Sequence, residues 1–193
     1  MDQYSFLMVP GIGPPAEGHW QSLWRHEVAD GRVVEQANWD RPDLDGWLSV
    51  LDRYLAACRK PAVLVAHSLG CVLVAHWVER SRRGQIAGPM PAVAAAMLVA
   101  PGDVDQERPG FEVVQPFAPM PLPRFPFPSI VVASTDDFFV SAERARHFAR
   151  GWGSDYLCVG AMGHISVETG CGPWPRGLAV LADFLRRQVP PRP

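Results

Sequence analysis

The sequence predicts an α/β fold of three layers, with about six mainly parallel strands sandwiched by helices, in one domain spanning residues 1–193. Short β-prone runs alternate with longer stretches whose apolar residues recur at helical spacing, the pattern of βαβ units. Several of the runs are unbroken apolar segments, as expected where parallel strands are buried on both faces. The 193 residues are 48% hydrophobic and 20% charged, a balance that supports one packed core and excludes intrinsic disorder.

The expected strands are Phe6 to Val9, Arg32 to Glu35, Ala62 to Ala66, Ala92 to Ala100, Ser129 to Ser134 and Asp155 to Val159. Helices are expected near Gly18 to Ala29, Asp43 to Cys58, Leu69 to Arg82, Ser141 to Arg150 and Pro175 to Gln188. Asp43 and Ser141 can accept free backbone N–H bonds as N-caps, Glu143 adds first-turn negative charge, and Pro175 suits a first helical position. Residues 101–128 differ in kind, with eight prolines interleaved with Phe111, Phe117, Met120, Leu122, Phe125 and Phe127. Proline fixes φ and removes a donor, so this segment should be a stiff, non-helical excursion between the fourth and fifth strands. It is either a plain surface connection or a wall of the substrate site.

With 18 Lys plus Arg against 20 Asp plus Glu, the formal charge is −2, and no broad basic face is expected to recruit nucleic acid or anionic lipid. The opening MDQYSF lacks a basic and apolar secretory signal, and no apolar run approaches ~18 residues. The expectation is a cytoplasmic protein without membrane association, a monomer or small homo-oligomer, acting on a small neutral molecule. Cys58, Cys71, Cys158 and Cys171 form neither a CxxC pair nor a disulfide framework and read as reduced packing thiols, and no metal site is expected.

The most informative stretch runs from Pro61 through an apolar strand to His67-Ser68-Leu69-Gly70 and on into a helix. This is the layout of a nucleophile elbow. A strained turn projects the serine Oγ from the sheet edge, and small residues two before and two after keep strand and helix apart. Here these are Ala66, in place of the usual glycine, and Gly70. The bland alternative is that Ser68 only caps the helix.

A serine is a weak nucleophile at neutral pH and needs a base within hydrogen-bond reach and a group to orient that base. In α/β-hydrolases the order along the chain is Ser, then Asp or Glu after a late strand, then His after the last strand. Ser134-Thr-Asp-Asp-Phe-Phe-Val-Ser141 and Gly160-Ala-Met-Gly-His-Ile165 occupy those places. Of six histidines only His164 lies in the required loop, where Gly163 permits a sharp path. Asp137 is preferred over Asp136 as the acid because it precedes Val140 by three, the D-x-x-V spacing in which an apolar residue packs behind the carboxylate. The oxyanion donors expected are the backbone N–H groups of Leu69 and Ile12, with Gly11 as the alternative to Ile12.

Gly11-x-Gly13-x-x-Ala16 after a strand, with Glu35 ending the next, also satisfies a dinucleotide-binding fingerprint. Pro14 and Pro15 count against it, because they remove N–H groups where a helix should present them to a pyrophosphate.

The chain resembles the small serine hydrolases of the YdeN and retinoblastoma-binding protein nine family over essentially its whole length. The shared motifs are Val9-Pro-Gly-Ile-Gly13, His19-Trp-Gln-Ser-Leu-Trp24, Asn38-Trp-Asp-Arg-Pro-Asp-Leu-Asp-Gly-Trp47, His67-Ser-Leu-Gly70, Ser134-Thr-Asp-Asp137 and Gly163-His164. The resemblance implies a minimal α/β-hydrolase fold without a cap domain. It also implies a triad of Ser68, Asp137 and His164, and neither metal nor organic cofactor. Phe138 stands where many relatives carry proline after the acid. Of the tryptophans in this pattern, Trp20 and Trp24 share a helix face and read as core, whereas Trp39 and His19 are candidates for the pocket, together with Phe117 and Phe138. The expected activity is hydrolysis of small carboxylic esters, with thioesters and amides as further possibilities, in a shallow pocket. The competing expectation is a hydrolase-fold binding protein without activity.

Overall fold

The computed structural model describes residues 2–86, 92–107 and 109–188. Six strands, β1 (Ser5–Val9), β2 (Gly31–Val33), β3 (Ala62–His67), β4 (Val93–Val99), β5 (Ser129–Ala133) and β6 (Asp155–Cys158), form one sheet in the order β2-β1-β3-β4-β5-β6. Every pairing is parallel. The helices are α1 (Trp20–Glu27), α2 (Leu44–Ala56), α3 (Leu69–Arg82), α4 (Ala142–Trp152) and α5 (Pro175–Gln188).

Strand side chains alternate between two cores. Leu7, Val9, Leu64 and Ala66 face the cluster built with Trp47 of α2, Val72 and Trp77 of α3, and Phe148 of α4. Phe6, Met8, Val63 and Val65 face the opposite cluster, built with Trp20 and Trp24 of α1 and Leu181 and Phe184 of α5. A period of two that is apolar at both positions is why these runs carry no polar alternation. The order also explains where chemistry can sit. The chain leaves β1 toward one edge and returns to pair β3 on the other side of β1, so loops after β1 and β3 part to opposite faces. Such a switch point opens a crevice at the strand C-termini.

Caps fall where local chemistry asks for them. Asp43 Oδ2 accepts from the Gly46 N–H at 2.7 Å, Ser141 Oγ accepts from the Arg144 N–H at 3.1 Å, and α5 opens on Pro175. The cap of α1 was not foreseen: His19 Nδ1 accepts from the Gln21 N–H at 3.2 Å.

Four expectations change. β2 is shorter than Arg32 to Glu35, because this edge strand pairs only with β1 and the chain then turns away. Residues 101–128 are not free of helix: Glu112–Phe117 forms a 3-10 turn ending around Pro116, made possible by the proline-free stretch after Pro109. Nor is the later part a surface connection. Phe117, Met120, Phe125 and Phe127 join the core, and Phe125 stacks on Trp152 with ring centroids 5.4 Å apart. Arg108 lies outside the described residues. Finally, Cys71 and Cys171 are buried and Cys58 half-buried, as packing thiols should be, but Cys158 is exposed; all four are free. Among the described residues no helix is long and apolar enough to cross a membrane.

Candidate active site

Between β3 and α3 the chain turns through Ser68 with φ 54° and ψ −124°, a conformation costly for any residue with a side chain. Gly70 is required here: a Cβ at that position would lie 2.1 Å from the Val9 carbonyl oxygen, so the helix start packs directly on the end of β1. Ser68 stands at the N-cap position of α3, yet its hydroxyl makes no capping bond. Its Oγ lies 2.8 Å from His164 Nε2 instead.

His164 Nδ1 in turn lies 2.8 Å and 3.0 Å from the two carboxylate oxygens of Asp137, whose side chain is fully buried. An ionised carboxylate can only accept, so Nδ1 carries the proton and Nε2 is left to accept from the Ser68 hydroxyl. The Phe139 N–H donates to Asp137 Oδ1 at 2.8 Å, and Val140 is buried behind the acid, where the D-x-x-V spacing puts it.

The loop that carries His164 is gripped residue by residue. The Met162 N–H donates to Ser134 Oγ at 2.9 Å and the Gly163 N–H to Asp136 Oδ1 at 2.7 Å. His67 Nε2–H donates to the His164 carbonyl at 2.8 Å and Trp20 Nε1–H to the Ile165 carbonyl at 2.9 Å. These bonds hold a backbone with φ 53° at Gly163 and 51° at Ile165, the latter a strained value for a β-branched residue. Asp136 therefore holds the backbone of this loop, whereas Asp137 meets the imidazole of His164. The Ser134 hydroxyl and Gly163 N–H hold its carboxyl below the usual carboxylate range.

His19, His67 and His164 lie side by side with their rings tilted by 57° and 51° and the centroids 5.1 Å and 4.8 Å apart. Burial keeps the two outside the hydrogen-bonded chain uncharged: it lowers His19 to about 4 and His67 well below its ordinary value.

Ser68 opens into a cavity of about 490 Å³. Gly11, Ile12, Leu69 and His19 are among the residues that line it. Gly11 lies so close that a Cβ there would be 2.7 Å from Ser68 Cβ. Three expected pocket residues do not line the cavity. Trp39 packs on Trp47 and borders a separate depression beyond Pro14 and Pro15, because the 10–16 loop stands between it and Ser68. Phe117 is fully buried beneath Trp47 and His76. Phe138 is 67% exposed, and its neighbour Phe139 lines the cavity, its ring 4.5 Å from that of His164. The first half of the 101–128 segment does wall the cavity, with Val104, Phe111, Val113 and Val114 as its apolar residues. Gly102, at the start of the same segment, lies against Ser68 and Leu69. The dinucleotide reading fails on geometry: α1 begins only at Trp20, so no helix N-terminus meets the Gly11 to Gly13 turn. Among the described residues no cluster of His, Cys, Asp and Glu is placed to hold a metal ion.

Comparison with known proteins places this arrangement. A protein from Pectobacterium atrosepticum described as a YdeN-like hydrolase is 32% identical, covering 97% of this chain and 94% of that one, with a TM-score of 0.80. The ydeN gene product of B. subtilis is 20% identical over 95% of this chain and 99% of its own, with a TM-score of 0.74. A thermophilic esterase from Thermogutta terrifontis is 16% identical over 95% and 90%, with a TM-score of 0.65. The last two speak to the fold, which is the α/β-hydrolase fold in a small form. Comparison with curated proteins returns no match. The family described as serine hydrolase matches residues 6–183, and the chain therefore belongs to that family, in its YdeN-like group.

Proposed function

We propose that the protein hydrolyses small carboxylic esters, with thioesters and amides as further substrates, through an acyl-enzyme on Ser68. The observation that carries this reading is the unbroken chain from Ser68 Oγ to His164 Nε2 and from His164 Nδ1 to Asp137, both links at 2.8 Å, opening into a cavity. His164 takes the hydroxyl proton as Oγ attacks the carbonyl carbon, and the carbonyl electron pair moves onto oxygen. The N–H groups of Leu69 and Ile12, or Gly11 in place of Ile12, receive that oxyanion. Collapse expels the alcohol, which leaves with the proton from His164. Water then gives a proton to His164 and attacks the acyl carbon, and release of the acid restores the Ser68 hydroxyl. Asp137 supports the imidazolium in each step.

A fluorophosphonate probe tests the reading directly. Wild type should be labelled and Ser68→Ala should not, and p-nitrophenyl esters should show a burst of one nitrophenolate per chain where deacylation is slow. A folded wild-type protein that takes no label would overturn the proposal and leave a hydrolase-fold binding protein in its place.

A further inference from the structure

The cavity beside Ser68 is larger and more apolar than a small acyl group needs. Its volume of about 490 Å³ falls in the range that encloses whole small ligands. Val104, Phe111, Val113 and Val114 form one wall, with Ile12 and Pro14 among the other lining residues. The apolar character continues outside. Of five exposed large hydrophobic side chains among the described residues, four are Ile12, Phe138, Phe139 and Val167. Ile12 and Phe139 line the cavity, Val167 stands between the lining residues Ser166 and Glu168, and Phe138 packs beside Phe111 and Phe139. Apolar surface gathered at one mouth marks a binding site more than a chance exposure.

The charge around the cavity has one sign. No Lys or Arg lines it. Asp103 is neutralised by Arg144, which donates to its two oxygens at 2.7 Å and 2.8 Å. Glu168 has no ion-pair partner among the described residues, and the Ser166 hydroxyl favours its ionised form. His19 and His67 add no positive charge at neutral pH, because burial keeps both neutral. An anionic group entering here meets a carboxylate and neither Lys nor Arg, and the one positive charge of the proposed cycle, on His164, is engaged by Asp137.

We propose that the cavity formed by Ile12, Val104, Phe111, Val113, Val114 and Phe139 beside Ser68 binds uncharged, apolar acyl groups of hexanoyl to octanoyl size and rejects acyl chains that end in a carboxylate. This rests on the acyl-transfer reading above and narrows its substrate. Each added methylene buried in the cavity should raise kcat/KM by about fourfold.

The test is a series of p-nitrophenyl esters from acetate to octanoate, together with the p-nitrophenyl monoester of adipic acid, in which a carboxylate replaces the terminal methyl of hexanoate. Hexanoate, with four more methylenes, should exceed acetate by about 100-fold in kcat/KM, and the adipate monoester should fall at least about tenfold below hexanoate. Glu168→Gln should raise the adipate-to-hexanoate ratio, and Val113→Trp should move the optimum to shorter chains. Acetate as the best ester, or an adipate monoester equal to hexanoate, would overturn the inference while Ser68 labelling kept the acyl-transfer reading. Binding of the same esters to Ser68→Ala, followed by saturation-transfer NMR, separates the other case. Hexanoate bound in preference to acetate and adipate, with no turnover by wild type, would support the cavity assignment and sink the acyl-transfer reading. Neither turnover nor selective binding would sink both.

Discussion

His67 Nε2–H donates to the carbonyl oxygen of His164 at 2.8 Å, so the residue joined to Ser68 grips the backbone of the residue paired with Ser68. The bond closes a ring: Ser68 Oγ to the His164 side chain, His164 carbonyl to the His67 side chain, and the peptide link back to Ser68. Its geometry needs a neutral His67 with the proton on Nε2, and burial beside His164 and His19 supplies the neutral form. In the proposed cycle His164 becomes positive, and a second positive imidazole 4.8 Å away would oppose it.

Replacing His67 by Phe keeps the ring volume and removes the donor. We expect kcat to fall by about 10- to 100-fold with KM nearly unchanged, because a displaced base costs rate more than binding. His67→Gln, which retains an N–H, should recover part of the loss. Equal kcat for His67→Phe and wild type would show that the bond does not position the base.

The two adjacent aspartates should separate by magnitude. Asp137→Asn removes the partner that sets the His164 tautomer and should lower kcat by about 10⁴-fold. Asp136→Ala frees only the Gly163 N–H and the Ser134 hydroxyl, and about a tenfold loss is expected, with a lower melting temperature. Steady-state kinetics on both variants decides it, and a larger loss at Asp136 would reverse the assignment.

Why the approach of Asp137 to His164 was legible in the sequence and the pocket lining was not follows from what each depends on. The sheet could be read because parallel strands buried on both faces leave apolar runs, and Ser68, Asp137 and His164 because the fold fixes their order along the chain. Val140 three residues on pointed to Asp137, rather than Asp136, as the carboxylate that meets His164. The pocket depends on distant contacts. Trp39 and Phe117 look like loop aromatics free to face a ligand, yet Trp47 takes up both. Phe138 and Phe139 differ only in which way the turn after Asp137 points them. The bond from Trp20 to Ile165 joins residues 145 apart, and no pattern near either one announces it.

Arg144 ties the cavity wall to α4. It pairs with Asp103, only 3% exposed, and with Asp105 at 2.7 Å, while Asp105 Oδ1 accepts the Met120 N–H at 2.8 Å. Arg144→Met should leave Asp103 buried without its cation and cost about 3 kcal/mol in chemical denaturation. Adding Asp103→Leu should return a large part of it, since the cost lies in the orphaned carboxylate. A double variant as unstable as the single would assign the loss to packing of the arginine instead.

Stability in mild acid should carry the signature of His19. Its ordinary value of 6.5 falls to about 4 in the fold, chiefly through burial, with nearby Glu168 acting the other way and His164 in the same direction as burial. Above pH 6.5 it is neutral in both folded and unfolded chains and has no effect on the pH dependence. As pH drops from 6.5 toward 4, the unfolded chain binds a proton that the folded chain refuses, so stability is lost across that interval, by at most about 3 kcal/mol. Asn at this position can still accept from the Gln21 N–H as an N-cap, but does not titrate. Urea denaturation should therefore show wild type losing more stability than His19→Asn between pH 6.5 and 4, with the curves converging in shape above that range. The buried His67 shifts in the same direction and remains in both proteins, so it drops out of the difference. Parallel curves throughout would mean that His19 takes up its proton in the fold as readily as in the unfolded chain, and that its burial at the start of α1 does not keep it neutral.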